Sequence, residues 1–167
     1  MKREKNVMKR EIMKQKENSM YIKFPALSEN ERIGRMIAAA FLTDMNPTIE
    51  EMDDVKTAVS EAVTNCIIHA YEKREKGILC AGEIEMHLKR KGQILEILIV
   101  DFGKGIEDVK RAMEPLYTTK PEEERSGMGF SFMEAFMHVV EVESEMGKGT
   151  RVRMLKEIGK FKSEIQE

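Results

Sequence analysis

Glu61, Asn65 and His69 recur at intervals of four residues in a segment whose apolar residues have helical periodicity. Side chains four positions apart lie on one face of an α-helix, so these three form a polar stripe beside the apolar one. A carboxylate in such a stripe can act as a general base, and an amide oxygen can ligate Mg²⁺. The same stripe also fits the polar flank of an ordinary amphipathic helix, and both interpretations stay open at this point.

A second candidate site is the run 101–105, DFGKG, which follows the apolar run 94–100 directly. A carboxylate at the end of a buried strand can accept a hydrogen bond from an exocyclic amine such as that of adenine. Gly103 and Gly105 would let the backbone come close to a ring, because glycine has no Cβ. The alternative is a glycine-rich turn in which Asp101 is only a cap.

The third candidate site is the run 126–130, SGMGF, at the start of a predicted helix. Free N–H groups and the helix dipole make such a terminus attractive to phosphate. Arg125 stands immediately before the run and Lys120 five residues earlier, and both side chains can pair with phosphate. The sequence has no GxxxxGK[ST] pattern, so this is not a P-loop. A flexible loop with solvated charges is the alternative.

Hydrophobic periodicity predicts the elements that position these runs. The expected elements are a strand at 21–24, helices that begin at capping boxes in 28–31 and 48–51, strands at 84–88 and 94–100, a short helix at 106–113, a helix at 127–137, and a hairpin of 139–143 with 150–155. This order predicts an α+β two-layer sandwich. Its mixed, mainly antiparallel sheet would be covered on one face by helices.

Composition excludes several functional classes. With 167 residues, 41% hydrophobic and 35% charged, the chain is typical of one soluble globular domain. A net charge of −2 and the absence of tryptophan argue against direct nucleic-acid binding. No apolar run approaches the roughly 20 residues of a membrane span, so we expect a cytoplasmic protein without a membrane anchor. Cys66 and Cys80 form no CxxC and fit reduced thiols.

We expect a single folded domain between residues 20 and 158. Residues 1–19 hold seven Lys/Arg and three Asp/Glu but few large apolar residues, so this charged N-terminal extension is expected to be disordered. Residues 159–167 would form a charged tail.

Taken together and in this order, the three runs resemble the motifs of the histidine-kinase/gyrase/Hsp90/MutL ATPase superfamily. Residues 61–70 resemble its N box, 101–105 its first glycine box and 127–129 its second. Gly149-Thr150 matches the Gly-Thr pair that ends the fold in many members. The resemblance spans about residues 21–157 and implies the Bergerat-type ATP-binding fold of that superfamily.

Four further runs resemble the anti-sigma F factor family of spore-forming bacteria, namely 28–31, 59–65, 115–121 and 124–130. The resemblance implies a homodimer that binds ATP or ADP with Mg²⁺. It also implies inhibition of a sporulation sigma factor and phosphorylation of a serine on an anti-anti-sigma protein. The N-terminal extension departs from the family pattern, and Phe102 fills a variable position of the glycine box.

The resemblance also implies roles for single residues. Glu61 would orient or deprotonate the acceptor hydroxyl, Asn65 would hold Mg²⁺, and Asp101 would select adenine. Arg125 would stabilise charge on the γ-phosphate, with residues 106–126 as a lid, and Arg35 would contact the protein partners. The remaining expected nucleotide contacts are His69, Gly103, Gly105, Thr119, Lys120, Ser126, Gly127, Met128, Gly129 and Thr150.

Three rival functions share parts of this pattern. A stress-type anti-sigma serine kinase would have the same chemistry with other partners. A histidine-kinase catalytic domain would follow a helix with a phosphoacceptor histidine, and no histidine occurs before Glu61. A non-catalytic, nucleotide-gated binding module would need neither Glu61 nor Arg125.

Overall fold

The computed structural model describes residues 17–71, 82–115 and 128–159. Its five strands form one sheet in the order β1-β2-β3-β5-β4, and each neighbouring pair is antiparallel. The strands are β1 (Glu17–Pro25), β2 (Glu83–Lys91), β3 (Ile94–Asp101), β4 (Val139–Glu145) and β5 (Gly149–Glu157). The predicted α+β class is confirmed, and the pairings within the described residues are all antiparallel.

The helices supply the second layer. They are α1 (Ser28–Leu42), α2 (Ile49–Asn65), α3 (Val109–Ala112) and α4 (Gly129–Phe136), with a 3-10 turn at Thr43–Met45 and a π turn at Cys66–Ala70. Helix α2 packs against both α1 and α4. The core lies between these helices and one face of the sheet, where alternate residues of the central strands are buried. None of the helices in the described ranges is long and apolar enough to cross a membrane.

Helix α2 begins at the predicted capping box. The Thr48 hydroxyl accepts from Glu51 N (3.1 Å), and the Glu51 carboxylate accepts from Thr48 N (2.8 Å). Glu51 also accepts from Gly159 N at 3.0 Å, so the box ties the start of α2 to the end of β5. Asn46 adopts the left-handed backbone conformation, with a φ of 56°, and separates α2 from the preceding 3-10 turn.

The capping box predicted at the start of α1 is wrong. The N-cap of α1 is Leu27, which makes no side-chain cap bond, so Ser28 lies inside the first turn. The Glu31 carboxylate does not return to the helix terminus, because it accepts a hydrogen bond from the Ser60 hydroxyl of α2. Asn30 donates instead to Pro25 O at 2.9 Å. A contact between helices thus replaces the local cap.

Several predicted elements are present with different bounds. Strand β1 begins at Glu17, which pairs with Lys91, so residues 17–19 belong to the sheet. Helix α3 covers only four residues and begins after Asp108, which caps it by accepting from Arg111 N at 3.0 Å. The β4–β5 hairpin and the two strands before it extend beyond their predicted ends. The extension up to residue 16 and the tail from residue 160 lie outside the described residues.

The face of the sheet opposite the helices is exposed. Arg153 on β5 bridges Glu96 on β3 and Glu141 on β4, at 2.7 and 2.8 Å. On β1 and β2, the rings of Tyr21 and His87 are in contact, tilted by 55° with centroids 4.7 Å apart. This face therefore mixes ion pairs with partly exposed apolar side chains.

Candidate active site

A cavity of about 670 Å³ opens where α2 ends beside the loop after β3, α3, the start of α4 and the β4–β5 hairpin. This is the size of a typical small-molecule site. Predicted residues that line it are Asn65, His69, Asp101, Gly105, Gly129 and Thr150. The fold therefore brings residues from all three sequence runs to one cavity.

Asp101 is the buried carboxylate of the cavity, with only 4% of its surface exposed. Its Oδ1 accepts from Gly103 N at 2.9 Å and from Thr150 N at 3.2 Å. Burial raises the pKa of Asp101 above its ordinary value, and the hydrogen bonds from Gly103 N and Thr150 N, together with the Cys66 thiol, oppose the rise. A fixed, buried acceptor of this kind can recognise an amine donor.

Gly103 and Gly105 allow close backbone packing around the cavity. A Cβ at Gly103 would lie 2.1 Å from Ala70 O, and Lys104 N donates to that same oxygen at 2.9 Å. Gly105 has a φ of +78°, and a Cβ there would lie 2.3 Å from Glu145 O. Gly105 lines the cavity, whereas Gly103 is absent from its lining. The two glycines let the loop pack directly on the π turn and on the hairpin.

Glu61 and Asn65 meet the start of α4. A Cβ at Gly129 would lie 3.1 Å from Asn65 Oδ1 and 3.2 Å from Glu61 Oε2, so both side chains reach this terminus. The N-cap of α4 is Met128, which makes no side-chain cap bond. Two side-chain oxygens therefore face a helix terminus whose backbone N–H groups suit an anion.

His69 lies in the π turn that continues α2. Within this turn the helix is wider than an α-helix, and its residues Cys66, His69 and Ala70 border the cavity together with Asn65. Such turns are frequent at functional sites. Asn65 and His69 of the predicted stripe thus line the cavity, whereas Glu61 is absent from its lining.

Sequence reasoning missed residues that hold the site together. Tyr71 Oη accepts from Phe102 N at 2.9 Å and donates to Glu83 O at 2.5 Å, which joins the ends of β2 and β3. Ser144 Oγ accepts from Ile106 N at 2.8 Å and lies 2.9 Å from Thr150 Oγ1. Tyr71 directly follows the predicted N box, and this position is the one sequence signal that could have indicated it. No sequence signal indicates Ser144.

Two cations that the sequence analysis left out also line the cavity, Lys104 and Arg111. Thr119, Lys120, Arg125, Ser126 and Gly127 lie outside the described residues. Arg35, the expected partner contact, lies on α1 and forms an ion pair with Glu31 at 3.7 Å. It is not among the residues of the cavity.

Comparison with known proteins shows the family of the chain. The family model described as "Histidine kinase-like ATPase domain" matches residues 24–156. An "Anti-sigma F factor" of Caldanaerobacter subterraneus subsp. tengcongensis is 54% identical over 143 residues, which cover 86% of this chain and 96% of that protein. Proteins with the same name in Thermoanaerobacter sp. (strain X514) and in Clostridium botulinum (strain Alaska E43 / Type E3) are each 52% identical. These matches cover 87% and 84% of this chain, and 97% and 94% of those proteins.

The chain belongs to the anti-sigma F factor family of histidine kinase-like ATPases.

Solved structures show the same fold at low sequence identity. The RsbU and RsbW domains of Rv1364c from Mycobacterium tuberculosis match with a TM-score of 0.57 and 14% identity, over 84% of this chain and 32% of that one. The catalytic domain of the histidine kinase ThkA matches with a TM-score of 0.50 and 16% identity, over 83% of this chain and 96% of that one. Membership of this ATPase family implies that the chain binds a nucleotide.

Proposed function

We propose that this protein is an anti-sigma factor that inhibits a sporulation sigma factor and uses Mg-ATP to phosphorylate a serine of its anti-anti-sigma antagonist. The observation that carries the proposal is the meeting of Glu61 and Asn65 with the start of α4, beside a cavity whose other wall holds the buried Asp101. The name shared by relatives at about half identity supports the choice of partners.

The cavity suggests how a nucleotide is oriented. Asp101 accepts from the exocyclic amine of adenine, since its carboxylate is buried and held by backbone donors. The phosphates extend toward the start of α4, where Gly129 leaves the backbone N–H groups open to an anion. Lys104 and Arg111 add positive charge to the cavity. Thr119, Lys120, Ser126 and Gly127, from the run before α4, are proposed as further nucleotide contacts.

The side chains at the phosphate end fit a magnesium ion. The Asn65 side-chain amide lies beside the start of α4, and an amide oxygen is a suitable ligand for Mg²⁺. In the described part of the chain, no group of three or more His, Cys, Asp or Glu could hold a metal ion. One protein ligand is consistent with an ion held chiefly by phosphates and water. When bound, Mg²⁺ would neutralise phosphate charge.

Glu61 is proposed as the base that acts on the acceptor serine. Its Oε2 lies beside Gly129, near the expected terminal phosphate, and it is half-buried. Glu61 takes the proton of the seryl hydroxyl as the new oxygen–phosphorus bond forms and the bond to the departing ADP oxygen breaks. Arg125, which lies just before the described start of α4, is proposed to stabilise charge on the transferred group.

A phosphotransfer assay tests the proposal. The full chain would be incubated with labelled ATP, Mg²⁺ and its cognate anti-anti-sigma protein, and the phosphorylated residue would be identified by mass spectrometry. We expect phosphoserine on the antagonist, none with Glu61→Gln, and near wild-type nucleotide affinity for that variant. Nucleotide binding without transfer would leave a non-catalytic, nucleotide-gated module. Wild-type turnover by Glu61→Gln would make Glu61 a helix-flank residue.

Partner binding is proposed for the exposed side of α1, around Arg35. Ile33 and Met36, three positions apart on this helix, are exposed at 49% and 63% and would add apolar contact area beside Arg35. Arg35→Glu should weaken binding of both the sigma factor and the antagonist while nucleotide affinity stays unchanged. Normal pull-down of both partners by the folded variant would remove Arg35 from the interface.

Two further properties complete the proposal. We place the protein in the cytoplasm, where a sigma factor and its antagonist would be found. We also propose that it is a homodimer whose second copy covers the exposed face of the sheet.

A further inference from the structure

Lys156 is a buried cation to which the proposed mechanism gives no role. It lies on β5, and only 6% of its surface is exposed. Its Nζ donates to Asp54 Oδ2 on α2 at 2.9 Å, and also to the carbonyl of Phe136, the last residue of α4. Lysine is almost never buried unless it is paired. One ammonium group therefore joins the sheet, α2 and the end of α4.

The two ends of α4 lie against different parts of α2. Its first residue, Gly129, is close to the side chains of Glu61 and Asn65 near the end of α2. Its last residue is joined through Lys156 to Asp54, in the first half of α2. Helix α4 therefore runs along α2 in the opposite direction, with its start at the proposed phosphate end of the cavity and its end at the ammonium group.

Apolar packing alone does not determine how far α4 is displaced along α2. Phe130, Met133 and Met137 pack in the core, but the hydrophobic effect is not directional. With eight residues, α4 is also too short to be stable by itself, so its position depends on its contacts. The hydrogen bond from Lys156 to the Phe136 carbonyl is directional and short in range, so it fixes α4 along its own axis.

We propose that Lys156 is a positioning residue for the nucleotide phosphates, because by fixing the end of α4 it holds the N–H groups at the start of that helix in place for them. Lys156 acts through α4 and does not itself touch the nucleotide. Displacement by one residue along the helix axis is about 1.5 Å, which is enough to break a hydrogen bond of ordinary length. The inference rests on the proposed function, since it needs the phosphates at the start of α4.

A purely structural role for Lys156 makes a different prediction. A buried ion pair can hold a helical layer against a sheet without any effect on a binding site, and breaking it destabilises the fold. Its loss would then lower the free energy of unfolding, and the folded protein would bind ligands with and without phosphates as before, or both more weakly. If Lys156 positions α4, the loss of affinity appears only for a ligand that has phosphates.

The experiment compares two ligands that differ only in their phosphates. Calorimetry with Mg²⁺ would measure ADP and adenosine on wild type, Lys156→Met and Lys56→Met. The last variant is the matched control, because it removes the same charge from a solvent-accessible pair on α2, between Lys56 and Asp53 at 2.6 Å. We expect Lys156→Met to weaken ADP about tenfold or more, as for loss of a hydrogen bond to a charged group, and to change adenosine less than about twofold. Lys56→Met should change neither affinity by more than about twofold.

The outcomes separate the inference from the function beneath it. Equal weakening of both ligands by Lys156→Met, ADP binding within about twofold of wild type, or the same ADP-specific loss in Lys56→Met would overturn the positioning role. Should Lys156→Met fail to fold, Asp54→Asn repeats the comparison, because it keeps the lysine and removes the charge that pairs with it. An ADP-specific loss of about threefold or more is then expected, and its absence would equally overturn the role.

The wild type tests the two levels separately. Wild-type protein that binds ADP no more tightly than adenosine would overturn the inference alone, because the phosphates would then gain nothing at the start of α4. Wild-type protein that binds neither ligand would overturn the proposed function as well.

Discussion

The Asp101 carboxylate costs stability in the ligand-free protein. Burial raises its pKa above the ordinary value of 3.8, so the folded chain holds this proton more tightly than the unfolded chain does. The free energy of unfolding consequently falls as pH rises from about 3.8 through the folded pKa of Asp101. A buried group that destabilises its own fold at neutral pH is a candidate for function rather than for structure.

Asp101→Asn should separate binding from stability. Asparagine retains an oxygen that can accept from Gly103 N and Thr150 N, but it lacks the charge that strengthens the bond to a nucleotide amine. We expect ADP binding to weaken by about 1.5–3 kcal/mol, with no decrease in the free energy of unfolding at pH 7. Calorimetry and urea denaturation measure the two quantities. Unchanged ADP affinity would remove Asp101 from the adenine site.

The same carboxylate gives nucleotide binding a pH dependence. An amine donates better to the ionised form, so ADP affinity in the wild type should fall as pH decreases through the raised pKa of Asp101, above 3.8. The part of this decrease that Asp101 causes should be missing in Asp101→Asn. Identical pH profiles for the two proteins would contradict the assignment.

At the scale of elements, the two predicted capping boxes give a matched pair of variants. Thr48→Ala removes a side-chain bond to Glu51 N that the structure contains, whereas Ser28→Ala removes a hydroxyl that makes no cap bond. We expect Thr48→Ala to lower the free energy of unfolding by about 0.5–2 kcal/mol and Ser28→Ala to change it by less than about 0.5 kcal/mol. Equal changes in the free energy of unfolding, measured by urea denaturation, would mean that the capping box at Thr48 does not stabilise α2.

Gly103 and Gly34 form a second matched pair. A Cβ at Gly103 would lie 2.1 Å from the backbone oxygen of Ala70, whereas at Gly34 its nearest neighbour would be the Phe24 ring at 3.5 Å. Gly103→Ala must push the loop off the π turn, so it should lose ADP binding and lower the melting temperature. Gly34→Ala lies in a helix and should be neutral or stabilise by up to about 1 kcal/mol. A Gly103→Ala variant with wild-type ADP affinity would show that the loop need not touch the turn.

Periodicity and local motifs predicted the helices, the strands and the three runs that meet at the cavity, because those signals depend on residues close in sequence. They failed where a distant partner decides the outcome. The capping box predicted at Ser28 does not form, because the Glu31 carboxylate accepts a hydrogen bond from Ser60 on another helix. Ser144 and Ile106 lie 38 positions apart, so nothing local marks their hydrogen bond.

At the scale of the whole molecule, the exposed face of the sheet has the composition of an interface. Its apolar residues include Tyr21, Ile94 and Val139, exposed at 52%, 44% and 38%, with Leu98 partly covered among them. Glu96, Glu141 and Arg153 add an ion-pair network on the same face. A face that alternates apolar groups with both signs of charge can be complementary to a second copy of itself.

Leu98→Glu should therefore produce a monomer. Leu98 lies on β3, the central strand of the sheet, between His87 on β2 and Arg153 on β5. A carboxylate at position 98 would be buried against the second copy, beside an Arg153 guanidinium that already pairs with Glu96 and Glu141. The cost of an unpaired buried charge predicts a dimer dissociation constant raised about 100-fold or more.

Ile49→Glu is the matched control, because Ile49 is 79% exposed at the start of α2, away from the sheet face. Sedimentation velocity over a concentration series would show a wild-type dimer, a Leu98→Glu monomer and an unaffected Ile49→Glu dimer. Dissociation by Ile49→Glu with a Leu98→Glu protein that stays dimeric would place the interface on the helical layer, and a wild-type monomer at every concentration would contradict the dimer itself.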